Sequence, residues 1–166
     1  VAVMSSDPIG NRSGAYYKSY CWKASAGSKT TNDASATSVG TIDSEYQANT
    51  TAGFSIVEYT GTGSAGTVAH GLGTQPRWLF IKRRRNSDSS GGTSLGCSVT
   101  YMEDLKSDYE TDFMSISETS SAADDATKWN DTAPTATTFS IGTDDNVNAS
   151  GSLYVAYVWC EKQGFS

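Results

Sequence analysis

The chain carries one histidine, His70, so any acid–base or nucleophilic chemistry run through an imidazole must be built around it. A Ser–His–Asp arrangement needs a serine and an orienting acid brought to that ring by the fold. The segment with the lettering of a nucleophile elbow, Gly92-Thr93-Ser94-Leu95-Gly96, lies in a Ser/Gly-rich run rather than between a strand and a helix. His70 stands between Val68 and Leu72 at the head of His70-Gly71-Leu72-Gly73-Thr74-Gln75-Pro76, and reads as a satisfied turn residue rather than a base. Asp124/Asp125 and Asp144/Asp145, the latter pair close to Asn146 and Asn148, offer loop oxygens of the kind Ca²⁺ takes, but without EF-hand spacing; solvated loop charge is the expected reading. Cys21, Cys97 and Cys160 are odd in number, match no metal-ligand spacing and read as buried reduced thiols. The expected catalytic, metal and cofactor sets are empty.

Binding chemistry has more to work with. Lys82-Arg83-Arg84-Arg85 is the one basic run, and Arg83 and Arg84 are its candidates for contact with phosphates or with acids of a neighbouring subunit. The formal net charge of −6 gives no long-range attraction to nucleic acid or to an anionic membrane, and no apolar run nears the ~20 residues of a membrane helix. Four Trp and nine Tyr stand out in a chain that is only 18% charged. Aromatics fill cores by default and also make interfaces and stack on sugars. Trp129, in a polar loop, and Tyr154 are the candidates for an external contact. The 86–96 and 142–150 loops are the expected places for binding without a structural role.

These residues must be positioned by extended structure. Polarity comes from Ser, Thr, Gly and Asn rather than from ions, and long helical periodicity is missing; the one helical spacing is Met102, Leu105 and Tyr109. Phe54–Tyr59 and Trp78–Lys82 read as strands joined through the 70–76 turn. There Gly71 and Gly73 supply positive φ, and Pro76 fixes its own φ and pushes Gln75 out of the helical region. Further strands are expected at 97–101, 112–117, 138–141 and 153–160. The last has mostly apolar residues on both faces and is expected to be central and covered on both sides. The fold class is all-β, an antiparallel sandwich or jelly-roll-like unit.

An internal repeat sets the expected domain organisation. Gly14, Tyr17, Tyr20 and Trp22 match Gly151, Tyr154, Tyr157 and Trp159 at one offset of 137 (154 − 17), and Gly53-Phe54-Ser55 recurs as Gly164-Phe165-Ser166. Residues 1–23 then end a preceding repeat, 24–52 form a Ser/Thr/Asn-rich linker, and 53–166 form the β-unit. The chain reads as an excerpt of a longer protein.

The string Gly-Phe-Ser-Ile-Val-x-Tyr-Thr-Gly-x-Gly from Gly53, His-Gly-Leu-Gly-x-x-Pro from His70, Trp129-Asn130-Asp131-Thr132-Ala133-Pro134-Thr135 and Asn148-Ala149-Ser150-Gly151 to Tyr154-Val155-Ala156-Tyr157 resembles a repeat of tail-fibre and other appendage proteins of tailed bacteriophages. The resemblance covers most of residues 14–166. It implies a non-enzymatic virion component, folded in the host bacterial cytoplasm, that works by assembly and host-surface attachment. Fibres of this kind are commonly homotrimers, so the partners it implies are copies of the chain, other virion proteins and a host-surface glycan or protein. A capsid or tail-tube decoration protein and a bacterial adhesin or filament subunit are the alternatives. No binding residue is carried over from the family.

Overall fold

The computed structural model describes residues 14, 16–18, 21–24, 27–84, 98–103, 105, 108–116, 119 and 121–164. In chain order the elements are β1 (Thr30–Asn32), α1 (Ala34–Thr37), β2 (Ser44–Asn49), β3 (Phe54–Thr60), β4 (Gly66–Ala69), β5 (Trp78–Arg83), β6 (Val99–Met102), β7 (Asp112–Ser115), β8 (Ala123–Asp124), α2 (Ala126–Trp129), β9 (Thr138–Ile141), α3 (Asp145–Asn148) and β10 (Leu153–Trp159). Among the described residues, eight strands form an antiparallel sheet in the order β1-β2-β3-β10-β5-β6-β7-β8, and β4 pairs with β9 in a small second sheet. The architecture is all-β and sandwich-like.

The alternation of β10 decides the layering. Tyr154, Ala156, Val158 and the following Cys160 point inward and are buried, whereas Leu153, Val155, Tyr157 and Trp159 point to the other face and stay partly exposed. The neighbours keep the same sides in register: Val57↔Ala156↔Ile81 faces inward, and Ile56↔Tyr157↔Phe80 faces outward. The inner side of the large sheet packs on Val68, Phe139 and Ile141 of the small sheet, on Trp129 of α2 and on Val147 of α3. Strand β10 is therefore central as expected, but among the described residues only its inner face is fully covered.

The helices are single turns, too short to hold themselves, and each is fixed by an aspartate cap. Asp33 caps α1 by accepting from Ser35 N and Ala36 N, Asp125 caps α2 through Thr127 N, and Asp144 caps α3 through Asn146 N. Buried Lys128 ties the last two caps together, with Nζ 2.6 Å from Asp144 Oδ2, 3.4 Å from Asp125 Oδ2 and 4.7 Å from the centre of the Phe113 ring. Asp144 and Asp125 are thus engaged as caps and ion-pair partners. Asn148, fully buried, donates to Ser64 O and Gly142 O and accepts from Thr62 N, so the 142–150 segment is stapled to the 61–64 loop rather than presented as a free binding loop.

Several expectations are corrected. Residues 24–52 are not a surface linker: they supply β1, α1 and β2, and Ile42 reaches the core with a parallel bridge to Val68. Strand β2 escapes notice because its inward residues are Ser44, Tyr46 and Ala48, only two of them apolar, while Glu45, Gln47 and Asn49 face the other side. The described residues of 14–23 lie outside any strand, and of 102–110 Met102 ends β6 while the other described residues form turns and a bend rather than a helix. Strand β4, four residues with Gly66 and Thr67 at its head, carries too short an alternation to read. Cys97 and the 85–97 segment, including Ser94, lie outside the described residues.

Gly142 is the tightest point between α2 and the core. A Cβ there would meet Thr127 O at 2.0 Å, while Gly142 N donates to Lys128 O at 2.9 Å. Gly142→Ala should lower unfolding stability by about 2–4 kcal/mol, read from urea melts, because backbone must move to admit the methyl. Gly73→Ala meets nothing within 4 Å and should cost only roughly 1 kcal/mol for its positive φ.

Candidate interaction face

The turn residues His70, Gly71, Gly73 and Pro76 are brought together as one structural corner. The His70 ring is buried, and both of its nitrogens are used: Nε2 lies 3.2 Å from Thr135 O, and Nδ1 lies 3.2 Å from Leu72 N. A carbonyl only accepts and a peptide N–H only donates, so the proton sits on Nε2 and Nδ1 is the acceptor. Burial pushes the imidazole down from its ordinary 6.5 to about 4, against a smaller upward pull from Thr135 O. Gly71 has φ +71°, and a Cβ on it would lie 2.1 Å from the Tyr46 ring, so the turn needs both the conformation and the missing side chain. Pro76 is buried beside the start of β5. The corner joins the β4 end, the 135–137 loop and β2; it has the wiring of a latch, and among the described residues both ring nitrogens bond to backbone.

Trp129 and Tyr154, expected as outward contacts, are both buried. Trp129 donates from Nε1 to Asp112 O at 2.9 Å and packs edge-on against Tyr101, filling the space between α2 and the sheet. Tyr154 stacks on Tyr59, and its hydroxyl donates to Asp145 O at 2.6 Å while accepting from Ala149 N at 2.8 Å. A polar loop sequence hid the burial of Trp129, because the loop folds back as α2. Arg83 and Arg84 are also committed within the chain: Arg83 donates to Ser152 Oγ at 2.6 Å, and Arg84 pairs with Glu58 at 2.8 Å. Of the thiols, Cys160 is buried as expected, with its pKa raised by that burial, whereas Cys21 is exposed.

The side chains left for an outside partner lie on the outer face of the large sheet. Cross-strand register sets Phe54, Trp159, Trp78 and Met102 in one row, and Ile56, Tyr157, Phe80 and Thr100 in the next. The first row is nearly continuous aromatic surface: Trp78 stacks on Trp159 at 4.2 Å between centroids, and Phe54 lies 5.0 Å from Trp159. Trp78 is fixed by its Nε1–H donating to Thr100 Oγ1 at 2.6 Å. The third row, Glu58, Val155 and Lys82, is polar, with Glu58 paired to Lys29 and Arg84. The arm around Trp22 crosses the β2 side of this face: Asn49 Nδ2 donates to Lys23 O at 3.0 Å, and Trp22 packs on Phe54 and Trp159.

Beyond the aromatic row, at the ends of β5 and β10, lies a polar notch of about 370 Å³ lined by Thr74, Gln75, Arg77, Glu103, Glu161 and Gln163. Arg77 bridges its two carboxylates, 3.1 Å from Glu103 and 3.2 Å from Glu161. The notch is a salt-bridged rim. Among the described residues, no group of three or more His, Cys, Asp or Glu is placed to hold a metal ion, and no helix is long and apolar enough to cross a membrane.

A family model matches residues 2–166, essentially the whole chain. The chain belongs to DUF7483, a domain of unknown function. No curated protein and no solved structure matches it. The DUF7483 match takes in both copies of the aromatic strand motif, at 14–23 and 151–160, together with the His70 corner.

Two outcomes follow for the corner. Gly71→Val should lower the thermal midpoint by several degrees, the size expected of a clash with a packed ring, read by calorimetry. The pH dependence has a definite sign. Because the folded imidazole titrates below the unfolded one, the unfolded state binds more protons between about 6.5 and about 4, and stability is lost as pH falls through that window. The loss should total about 3 kcal/mol for a shift of this size. Asp33, Glu58 and Asp125, whose pKa values are lowered in the fold, add their losses only as pH falls below the ordinary carboxylate range. His70→Gln should flatten the upper part of the stability curve.

Proposed function

We propose that this DUF7483 chain is a structural module of a tailed-phage appendage that works by assembly, side by side with copies of itself, and presents its loops to a host surface. The observation that carries the reading is the outer face of β3, β10 and β5. Ile56, Trp78, Phe80, Tyr157 and Trp159 of its two rows stay partly exposed, Phe54 is buried beneath Trp22 and its ring neighbours, and Leu153 at the margin is 41% exposed. Half-open, contiguous aromatic surface on rigid central strands is what a protein–protein interface offers. The motif string from Gly53 to Tyr157 supports the phage assignment by resemblance. The residues of those motifs hold the module together: His70 and Gly71 at the corner, Trp129 and Tyr154 in the core, Asn148 in the loop staple. A trimer is the arrangement proposed for the fibre. The virion is the proposed location, and no reaction is assigned.

Antibodies raised against residues 1–166 test the assignment on particles of a tailed phage that encodes the chain. Immunogold electron microscopy should place label on tail fibres or related appendages. Label over the capsid would favour a decoration protein, and particles without label would overturn the virion reading.

A further inference from the structure

The repeated strand motif is used in two different ways. At 151–160 it is β10, filling the slot between β3 and β5. At 14–23 the same spacing of Gly, Tyr, Tyr and Trp has no slot left to enter, and its described residues lie as an arm in which Tyr16, Tyr17 and Trp22 are all exposed. The arm is nevertheless placed. Its Trp22, 45% exposed, lies 5.7 Å edge-on from Trp159 and 6.3 Å from Phe54, at the end of the aromatic row. Lys23 O is held by Asn49, Gly27 O by Gln47, and Lys29 by Glu45 and Glu58. Trp22 and Trp159 are the same position of the repeated motif, so the contact is between equivalent residues of two motif copies.

We infer that Trp22 marks an axial joint: the motif-end tryptophan of one unit packs on the Phe54–Trp159 row of the next, and the occupant of that site is a second copy of this unit. The contact is heterologous, one unit's strand end against another unit's row. Such a contact closes into a ring or runs on as a filament according to its rotation, and between units linked end to end it runs on along the fibre. Aromatic pairs of this geometry are enough to set orientation between units already linked or concentrated, and not enough to drive association alone. The inference rests on the assembly reading above; it takes the Phe54–Trp159 end of the first row and leaves the Ile56–Tyr157–Phe80 row for lateral contact.

The test uses the full chain carrying Trp22→Ala, which vacates the site, with a synthetic peptide of residues 14–24 as probe. NMR of the variant should show peptide-induced shifts centred on Phe54 and Trp159, and a peptide with Ala in place of the tryptophan should bind about tenfold more weakly or worse. The variant should melt close to wild type, since the arm lies outside the core. If Trp22→Ala does not fold, Trp22→Leu takes its place, and competition by excess peptide against the arm of the wild-type chain gives the same readout. Equal binding of the two peptides, or no shifts at Phe54 and Trp159, would overturn the joint. A joint lost while the wild-type chain still self-associates leaves lateral assembly standing, so the two failures are distinguishable.

Discussion

Strand β10 can bury Tyr154, Ala156 and Val158 only by lying between β3 and β5, and the rest of the structure is arranged to let it. Its partners begin at Phe54 and Trp78 while β10 itself begins at Leu153, so closing the sheet brings together segments far apart in the chain. That closure costs loop entropy before any contact is gained, and the return comes from burying apolar inner-face residues on three adjacent strands at once. The small β4-β9 sheet and the one-turn helices are the lid that makes the burial complete. They are short because their task is to cover a fixed area of sheet rather than to form a second core.

The lid is held mainly by polar bonds placed where water is excluded. Tyr59 donates to Val147 O at 2.7 Å, Tyr154 to Asp145 O, Asn148 reaches three backbone groups, and Lys128 joins the α2 and α3 caps. Each buried donor or acceptor satisfied in this way removes a penalty of about 1–3 kcal/mol that an unpaired group would carry. A network of this kind is demanding of residue type: an asparagine that donates twice and accepts once has no apolar substitute. The motif residues around Asn148 and Trp129 look like surface recognition in the sequence because they are polar or sit among polar neighbours, and they are internal fasteners in the structure.

That inversion explains what was legible beforehand. The all-β class, strands near 54, 78 and 153, the central position of β10 and the turn role of His70 follow from alternation, Gly/Pro punctuation and the two-sided apolar pattern, whereas the insertion of β10 between β3 and β5 does not. Strands β1 and β2 do not, because an edge region whose outward residues are Glu, Gln, Asn and Thr has the composition of a linker. The burial of Trp129 and Tyr154 depends on where α2 and α3 fold, which is set by long-range closure rather than by local pattern. The outer aromatic row was hidden for a related reason. Phe54, Trp78 and Trp159 belong to three strands and become one surface only through register, and apolar residues on both faces of β10 read as two covered faces where the described residues fully cover one.

The central claim is that the open outer face is a contact between copies of the chain. Light scattering of residues 1–166 across a range of concentrations tests it most directly, with Tyr157→Ser alongside as a change to the outer row that leaves the inner core untouched. The account predicts a defined oligomer for the wild-type chain, a trimer in the fibre arrangement, and a shift toward monomer for a Tyr157→Ser chain that still folds, with a modestly lower thermal midpoint from its lost stacking on Phe54 and Phe80. A wild-type chain that remains monomeric at every concentration, or an oligomer indifferent to Tyr157→Ser, would contradict it.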